Sequence, residues 1–120
     1  MKLFAGLRKI REYQRGRLPF VRSLVEFDIV IEIGYAEECG EPITLKQLEL
    51  LRICSRTTLR RKLAQLIEQH VVQRRKNSDD RRAQMLGVSP ASLRLLTRYG
   101  RMLTTIARDH FTHDSRNPMA

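Results

Sequence analysis

Tryptophan is absent from this chain, and phenylalanine and tyrosine together make up only 6% of it. Proteins that grip single-stranded nucleic acid stack bases on aromatic rings, so a chain this poor in rings is a weak candidate for that mode. Cysteine occurs twice, at Cys39 and Cys54, too few for a disulfide framework. No apolar run approaches the roughly 18 residues of a membrane span. The first residues, from Met1 to Lys9, lack the apolar stretch of a signal peptide. A cytoplasmic protein with no membrane partner is therefore expected. Also missing are a glycine-rich phosphate loop, a pair of catalytic carboxylates and a nucleophile set beside a histidine. No enzymatic activity and no cofactor are expected.

Positive charge is what the chain has in excess. The 120 residues carry a formal charge of +10, with a pI of about 10.6 and 42% apolar side chains. That is a foldable composition with a polyanion-binding balance. The charge is also unevenly placed. Residues 1–19 hold six basic and one acidic side chain, and residues 20–54 hold three basic and seven acidic. Residues 55–82 hold nine basic and three acidic. An acidic block ahead of a basic one suits a protein that must orient on a polyanion, with its acidic residues expected to face away from it.

Periodicity assigns the elements. Leu3, Leu7, Ile10 and Gln14 recur at helical steps over residues 2–15, opposite Lys2, Arg8, Lys9, Arg11 and Arg15. Gly16 is expected to end that helix, and Pro19 to open the next, which covers the apolar residues 20–38. The alternation in Phe27-Asp-Ile-Val-Ile-Glu-Ile33 leaves a strand as the alternative there. Gly40 and Pro42 stop that element. Thr44 with Gln47 three residues on is a capping-box spacing, and opens a short helix from Leu45 to Arg52. Ser55 caps another, from Arg56 to about Gln69.

On a helical wheel Leu59, Leu63, Leu66, Ile67 and His70 share the core side of that helix. Thr57, Thr58, Arg61 and Gln65 fall opposite. Two short helices joined by a tight turn, the second with a polar outer face, form a helix-turn-helix. Val71–Arg74 and Ala83–Val88 read as two short strands with 76–82 as their tip, which makes a wing. Ser89 and Pro90 open a last helix reaching Phe111. Its two apolar seams, one from Leu93 through Leu96 and Leu103, the other through Leu95, Tyr99, Met102 and Ile106, are wide for one helix on a small domain. A subunit interface is expected there.

The fold expected is mainly α with a small β-hairpin. A basic N-terminal helix or arm occupies 1–19 and a winged helix-turn-helix 20–88. A C-terminal dimerisation helix occupies 89–113 and a tail 114–120. The N- and C-terminal helices together form the dimerisation region.

At this point the sequence resembles the winged-helix transcription regulators of the MarR family. The resemblance lies in Ser55-Arg-Thr-Thr-Leu-Arg-Arg-Lys-Leu-Ala-Gln-Leu66, then Val71-Val-Gln-Arg74, Asp80-Arg-Arg82 and Leu86-Gly-Val-Ser-Pro90. It covers about residues 23–100. Three departures stand out. His70 occupies a position where the family usually has glycine. Ser89-Pro90 only partly replaces the Leu-Thr ending. The family's C-terminal region normally holds one helix more. The resemblance implies a homodimer on DNA, with Asp80 bracing a neighbouring arginine while Arg82 enters the minor groove. Arg81 is the alternative to Arg82. A small-molecule pocket, present in many members, would admit an effector.

The residue types suggest roles on double-stranded DNA. Ser55, Thr57 and Thr58 sit at a helix N-terminus, where hydroxyls and free N–H groups meet phosphate. Arg61 is long enough for a bidentate bond to guanine, and Gln65, one turn on, for adenine. Arg56, Arg60 and Lys62 flank them toward phosphates. Arg74, Arg75, Lys76, Arg81 and Arg82 belong to the wing. Asp109, His110, His113 and Asp114 offer two imidazoles near one turn, but no third metal ligand of fixed position, so no metal is expected. Cys39 or Cys54 could serve a redox effector only if polarised and accessible, and otherwise packs as a small hydrophobe.

The function expected is sequence-specific regulation of transcription, with the helix 55–69 in the major groove and the wing 71–88 on the backbone and minor groove. The alternatives are a winged-helix protein-interaction or assembly module and a sequence-independent nucleic-acid binder.

Overall fold

In the computed structural model, residues 1–76 and 84–112 are described. They fall into two compact units, Phe20–Leu93 and the pair of segments flanking it.

The central unit begins with helix α2, Leu24–Glu38; helix α1, Leu3–Arg17, belongs to the flanking unit. Helix α2 starts four residues later than Pro19 implied, because Ser23 is its N-cap. The Glu26 carboxylate accepts the Ser23 N–H at 2.9 Å, and the Ser23 hydroxyl donates to the same oxygen. This Ser-x-x-Glu box outcompetes the proline as a start signal. The strand alternative for 27–33 is excluded: the segment is helical throughout, burying Ile29, Val30 and Ile33. At its end Gly40 adopts φ 77°, and the N–H groups of Gly40 and Glu41 bond back to Glu37 and Ala36.

Strand β1, Ile43–Thr44, follows, then α3, Leu45–Leu50, and α4, Arg56–Glu68. The Thr44–Gln47 box forms in both directions, at 3.2 and 2.9 Å. Strands β2, Val72–Lys76, and β3, Gln84–Val88, form the hairpin. All three strands make one antiparallel sheet in the order β1-β3-β2, with Ile43 opposite Leu86 and Val72 opposite Val88. Sequence patterning missed β1: two residues have no period, and only pairing with β3 defines them.

Phe20, Ile33, Leu48, Leu59, Leu63, Leu66, Val72 and Leu86 are among the buried side chains of this unit. Each such side chain contributes about 1.5–3 kcal/mol by leaving water. They draw on α2, α3, α4 and the sheet together, so α4 is held by the whole unit.

In the flanking unit, α1 continues through Gly16 to Arg17 rather than stopping at the glycine. Helix α5, Pro90–Ile106, begins at Pro90 as expected, in the last residues of the central unit, where Ser89 Oγ accepts the Ser92 N–H at 3.2 Å, and its remainder belongs to the flanking unit. Its last turn widens into a π-helical turn over Ala107–Phe111. The Lys2 N–H bonds to the His110 carbonyl at 2.8 Å. A Cβ on Gly6 would lie 2.7 Å from Phe111 Cζ, so glycine is what lets the Phe111 ring lie against α1. Further along, Tyr13 stacks on Tyr99 with ring centroids 5.8 Å apart, and Gln14 donates to the Tyr99 hydroxyl at 2.9 Å. Low numbers on α1 thus meet high numbers beyond α5, and the two run antiparallel.

No described helix is long and apolar enough to cross a membrane.

Candidate nucleic-acid interface

Helix α4 is set by its caps. Ser55, with extended backbone at φ −61° and ψ 152°, accepts the Thr58 N–H at 3.2 Å, and its hydroxyl donates to Thr58 Oγ1 at 2.9 Å. The turn before it contains Arg52 at φ 53°. At the other end the N–H groups of His70 and Val71 bond back to Ile67 and Leu66, with His70 at φ 60°. This is a Schellman ending, and its usual apolar contact is available from Leu66 and Val71, both buried. His70 itself is exposed. Its expected place on the core face is therefore wrong, because the left-handed residue turns the chain out of the helical wheel.

Between the caps the wheel holds. Leu59, Leu63 and Leu66 are buried, whereas Thr57, Arg61 and Gln65 are exposed at successive steps of four. These three side chains make no hydrogen bond or ion pair among the described residues. The helix thus presents a hydroxyl, a guanidinium and a carboxamide in a row, a set that can donate and accept along a groove edge.

The flanking cations are arranged differently from the outer row. Arg60 Nε donates to Glu49 Oε1 at 2.9 Å, and Arg56 Nε lies 3.4 Å from Glu49 Oε2. Lys62 is turned inward: its ammonium reaches Glu26 Oε1 at 2.5 Å, and its side chain is only 19% exposed. It ties α4 to α2 and does not stand beside the outer row. On the hairpin Arg74 is exposed opposite Leu86, and Arg75 bonds Glu37 Oε2 at 2.5 Å and the Val88 carbonyl at 3.2 Å. Glu37 also accepts the Val88 N–H at 2.8 Å, which fastens α2 to the root of the hairpin. Lys76 pairs through its backbone with Gln84. Asp80, Arg81 and Arg82 lie outside the described residues.

Sequence reasoning missed the acidic side of this arrangement. The carboxylates of Glu26, Glu37 and Glu49 are not turned away from the basic surface; each holds one or two of its cations. Glu26 is buried, and burial raises its pKa, but hydrogen bonds from Lys62, Ser23 and its own backbone, with the Lys62 charge, hold it at about 2 instead of the ordinary 4.5. The available signal was spacing. Glu26 and Glu37 are eleven residues, three helical turns, apart, on the face that carries Ile29, Val30 and Ile33.

Among the described residues, no group of three or more His, Cys, Asp or Glu side chains could hold a metal ion. Cys39 is exposed and Cys54 half-buried, both as free thiols. His113 and Asp114 lie outside the described residues.

Two short helices, an exposed polar row on the second and a hairpin after it define a winged helix-turn-helix. No family model and none of the curated proteins matches the sequence. Solved structures match across most of the chain, and MarR-family regulators are among them. A MarR mutant from E. coli complexed with operator DNA is 16% identical, with a TM-score of 0.58 over 89% of this chain and 75% of that one. AbsC, a MarR family transcriptional regulator from Streptomyces coelicolor, is 16% identical, with a TM-score of 0.57 over 90% and 72%. A MepR mutant from S. aureus bound to an oligodeoxyribonucleotide is 12% identical, with a TM-score of 0.70 over 93% and 78%. The chain has the MarR-like winged-helix fold; at these identities the likeness is one of fold.

Proposed function

We propose that the chain is a sequence-specific double-stranded DNA-binding transcriptional regulator that acts in the cytoplasm as a homodimer. One observation carries this reading. The core-facing leucines of α4 leave Thr57, Arg61 and Gln65 exposed in a single row, with the chemistry that base edges require. The DNA-bound MarR and MepR structures that share the fold support it.

In this reading α4 enters the major groove. Arg61 reads guanine, Gln65 reads adenine, and Thr57 and Thr58 sit near phosphate or a thymine methyl. Ser55 preforms the helix start, and Arg56 and Arg60 meet the backbone. Arg74, Arg75 and Lys76 line the root of the wing, with Arg81 and Arg82 taken to reach the backbone and minor groove. Lys62 holds α4 on α2. Residues 20–88 are the DNA-binding domain; 1–19 and 89–113 pair two copies. The unburied apolar side chains of the flanking unit favour that pairing: Phe4 is 79% exposed, with Leu3, Leu7 and Met102 also open.

A second reading, a protein-interaction module, draws on Leu50 and Leu51. They are 72% and 48% exposed at the end of α3 and in the turn after it, and could anchor a partner. Selection from random duplex DNA, combined with the mass of the free protein in solution, separates the two. A near-palindromic consensus with a dimer mass supports the first. No enrichment at moderate salt overturns it in favour of the second.

A further inference from the structure

Glu49 lies at the end of α3 with its side chain 10% exposed, beneath two arginines that are 73% and 60% exposed. Arg60 donates through Nε to Oε1 at 2.9 Å, and Arg56 is ion-paired with the other oxygen, its Nε 3.4 Å away. A guanidinium has five N–H donors in a fixed plane, so Arg60, with one spent on Glu49, keeps four on its Nη nitrogens. Arg56 and Arg60 are four residues apart, on one edge of α4. Two like charges at that spacing repel. The carboxylate between them offsets that repulsion and draws both guanidinium groups to one side.

We infer that Glu49 is a positioning residue that sets the specificity of the DNA interface, by presenting Arg56 and Arg60 as a preformed two-pronged phosphate clamp. The inference rests on the DNA-binding reading. Phosphate contacts carry no sequence information themselves, but they set the register and tilt of the helix that does. Arginines ordered before binding lose less freedom on contact, and they bring Arg61 and Gln65 to the base edges in one orientation. Without the clamp the same charges would still attract DNA, in many registers.

That separates a positioning role from a purely electrostatic one. A carboxylate that acted only by its charge would weaken binding to every duplex, and Glu49→Gln would then tighten all of them equally. The clamp makes a different forecast. Glu49→Gln, measured on the selected duplex and a scrambled one over a salt series, should keep or raise affinity for the scrambled duplex. The ratio of selected to scrambled affinity should fall about tenfold, the size of one lost base contact. The salt slope should stay or steepen, because no cation has been removed. Arg60→Lys, which keeps the charge but lacks Nε, should lower the ratio in the same way. In the free protein, the Nε–H resonance of Arg60 should be sharp and protected in the wild type, and average to a solvent-like value in Glu49→Gln.

An unchanged ratio, or a parallel gain on both duplexes, overturns the role of Glu49 while leaving DNA binding intact. A wild-type chain that prefers no duplex overturns the DNA reading and this inference with it.

Discussion

Lys62 and Glu26 form a closed ion pair between α4 and α2, at 2.5 Å, with side-chain exposures of 19% and 7%. A carboxylate this buried is tolerated because Lys62 and Ser23 both donate to it. Its pKa in the fold, about 2, lies below the ordinary 4.5. A carboxyl with a depressed folded pKa contributes stability that is complete above its unfolded value and is lost as pH falls through the folded one. The window is therefore from about pH 4.5 down to about pH 2. Urea unfolding at pH 7 and pH 3 should show the wild type losing about 2 kcal/mol from this group alone. Glu26→Gln should lack that part of the loss. Equal pH sensitivity in both proteins would remove the pair from the account of stability.

Arg61 is the centre of the exposed row, and has no partner among the described residues to limit its reach. Arg61→Ala should cost about 1–3 kcal/mol on a selected duplex and relax the preference at one base position. Titration of the variant against the selected duplex and its single-base variants measures both effects. Equal losses on selected and scrambled DNA would make Arg61 a phosphate contact. The fold should be unaffected, since the side chain buries nothing.

Where each part of this arrangement was legible follows from what carries its signal. Short-range signals were read correctly: the Thr44–Gln47 box, the Ser55 cap, and the four-residue steps that separate Leu59 and Leu63 from Arg61 and Gln65. Ser23 and Glu26 carry an equally local box, but Pro19 and the apolar residues behind it drew the start of α2 too early. Gly16 is a helix breaker only on average, and nothing prevents one exposed glycine from staying helical. Strand β1 and the pairs Glu26–Lys62, Glu37–Arg75 and Glu49–Arg60 depend on partners 11 to 43 residues away. Block charge counts average over such pairs, so acidic residues that hold the basic surface together looked like a separate face.

Gly87 is the seat over which Arg75 reaches Glu37. A Cβ placed there would lie 2.6 Å from Arg75 Cζ and 2.9 Å from Glu37 Oε2. Both are ends of flexible side chains, so Gly87→Ala should fold, with the guanidinium displaced. The expected loss is about 1 kcal/mol, the worth of a half-exposed ion pair and its hydrogen bonds. Combining it with Arg75→Ala provides the check, by thermal or urea unfolding. In that background the added methyl has only the end of the Glu37 side chain to displace, and Gly87→Ala should cost less than it does alone.

His70 ends α4 at φ 60°, where Gly40 ends α2 at φ 77°. Both endings carry the same pair of backbone hydrogen bonds, so the geometry is required and only the residue differs. An L-residue in the left-handed region brings its Cβ against the following carbonyl, at roughly 1–2 kcal/mol. Glycine avoids that clash but loses more chain entropy on folding, about 0.5–1 kcal/mol. The imidazole is exposed, so removing it forfeits little packing. His70→Gly should therefore stabilise the protein, by up to about 1 kcal/mol. His70→Ala should not, because alanine keeps the Cβ. Unfolding midpoints of the two variants test this directly. If glycine and alanine both destabilise, His70 has a contact in solution that outweighs its backbone strain.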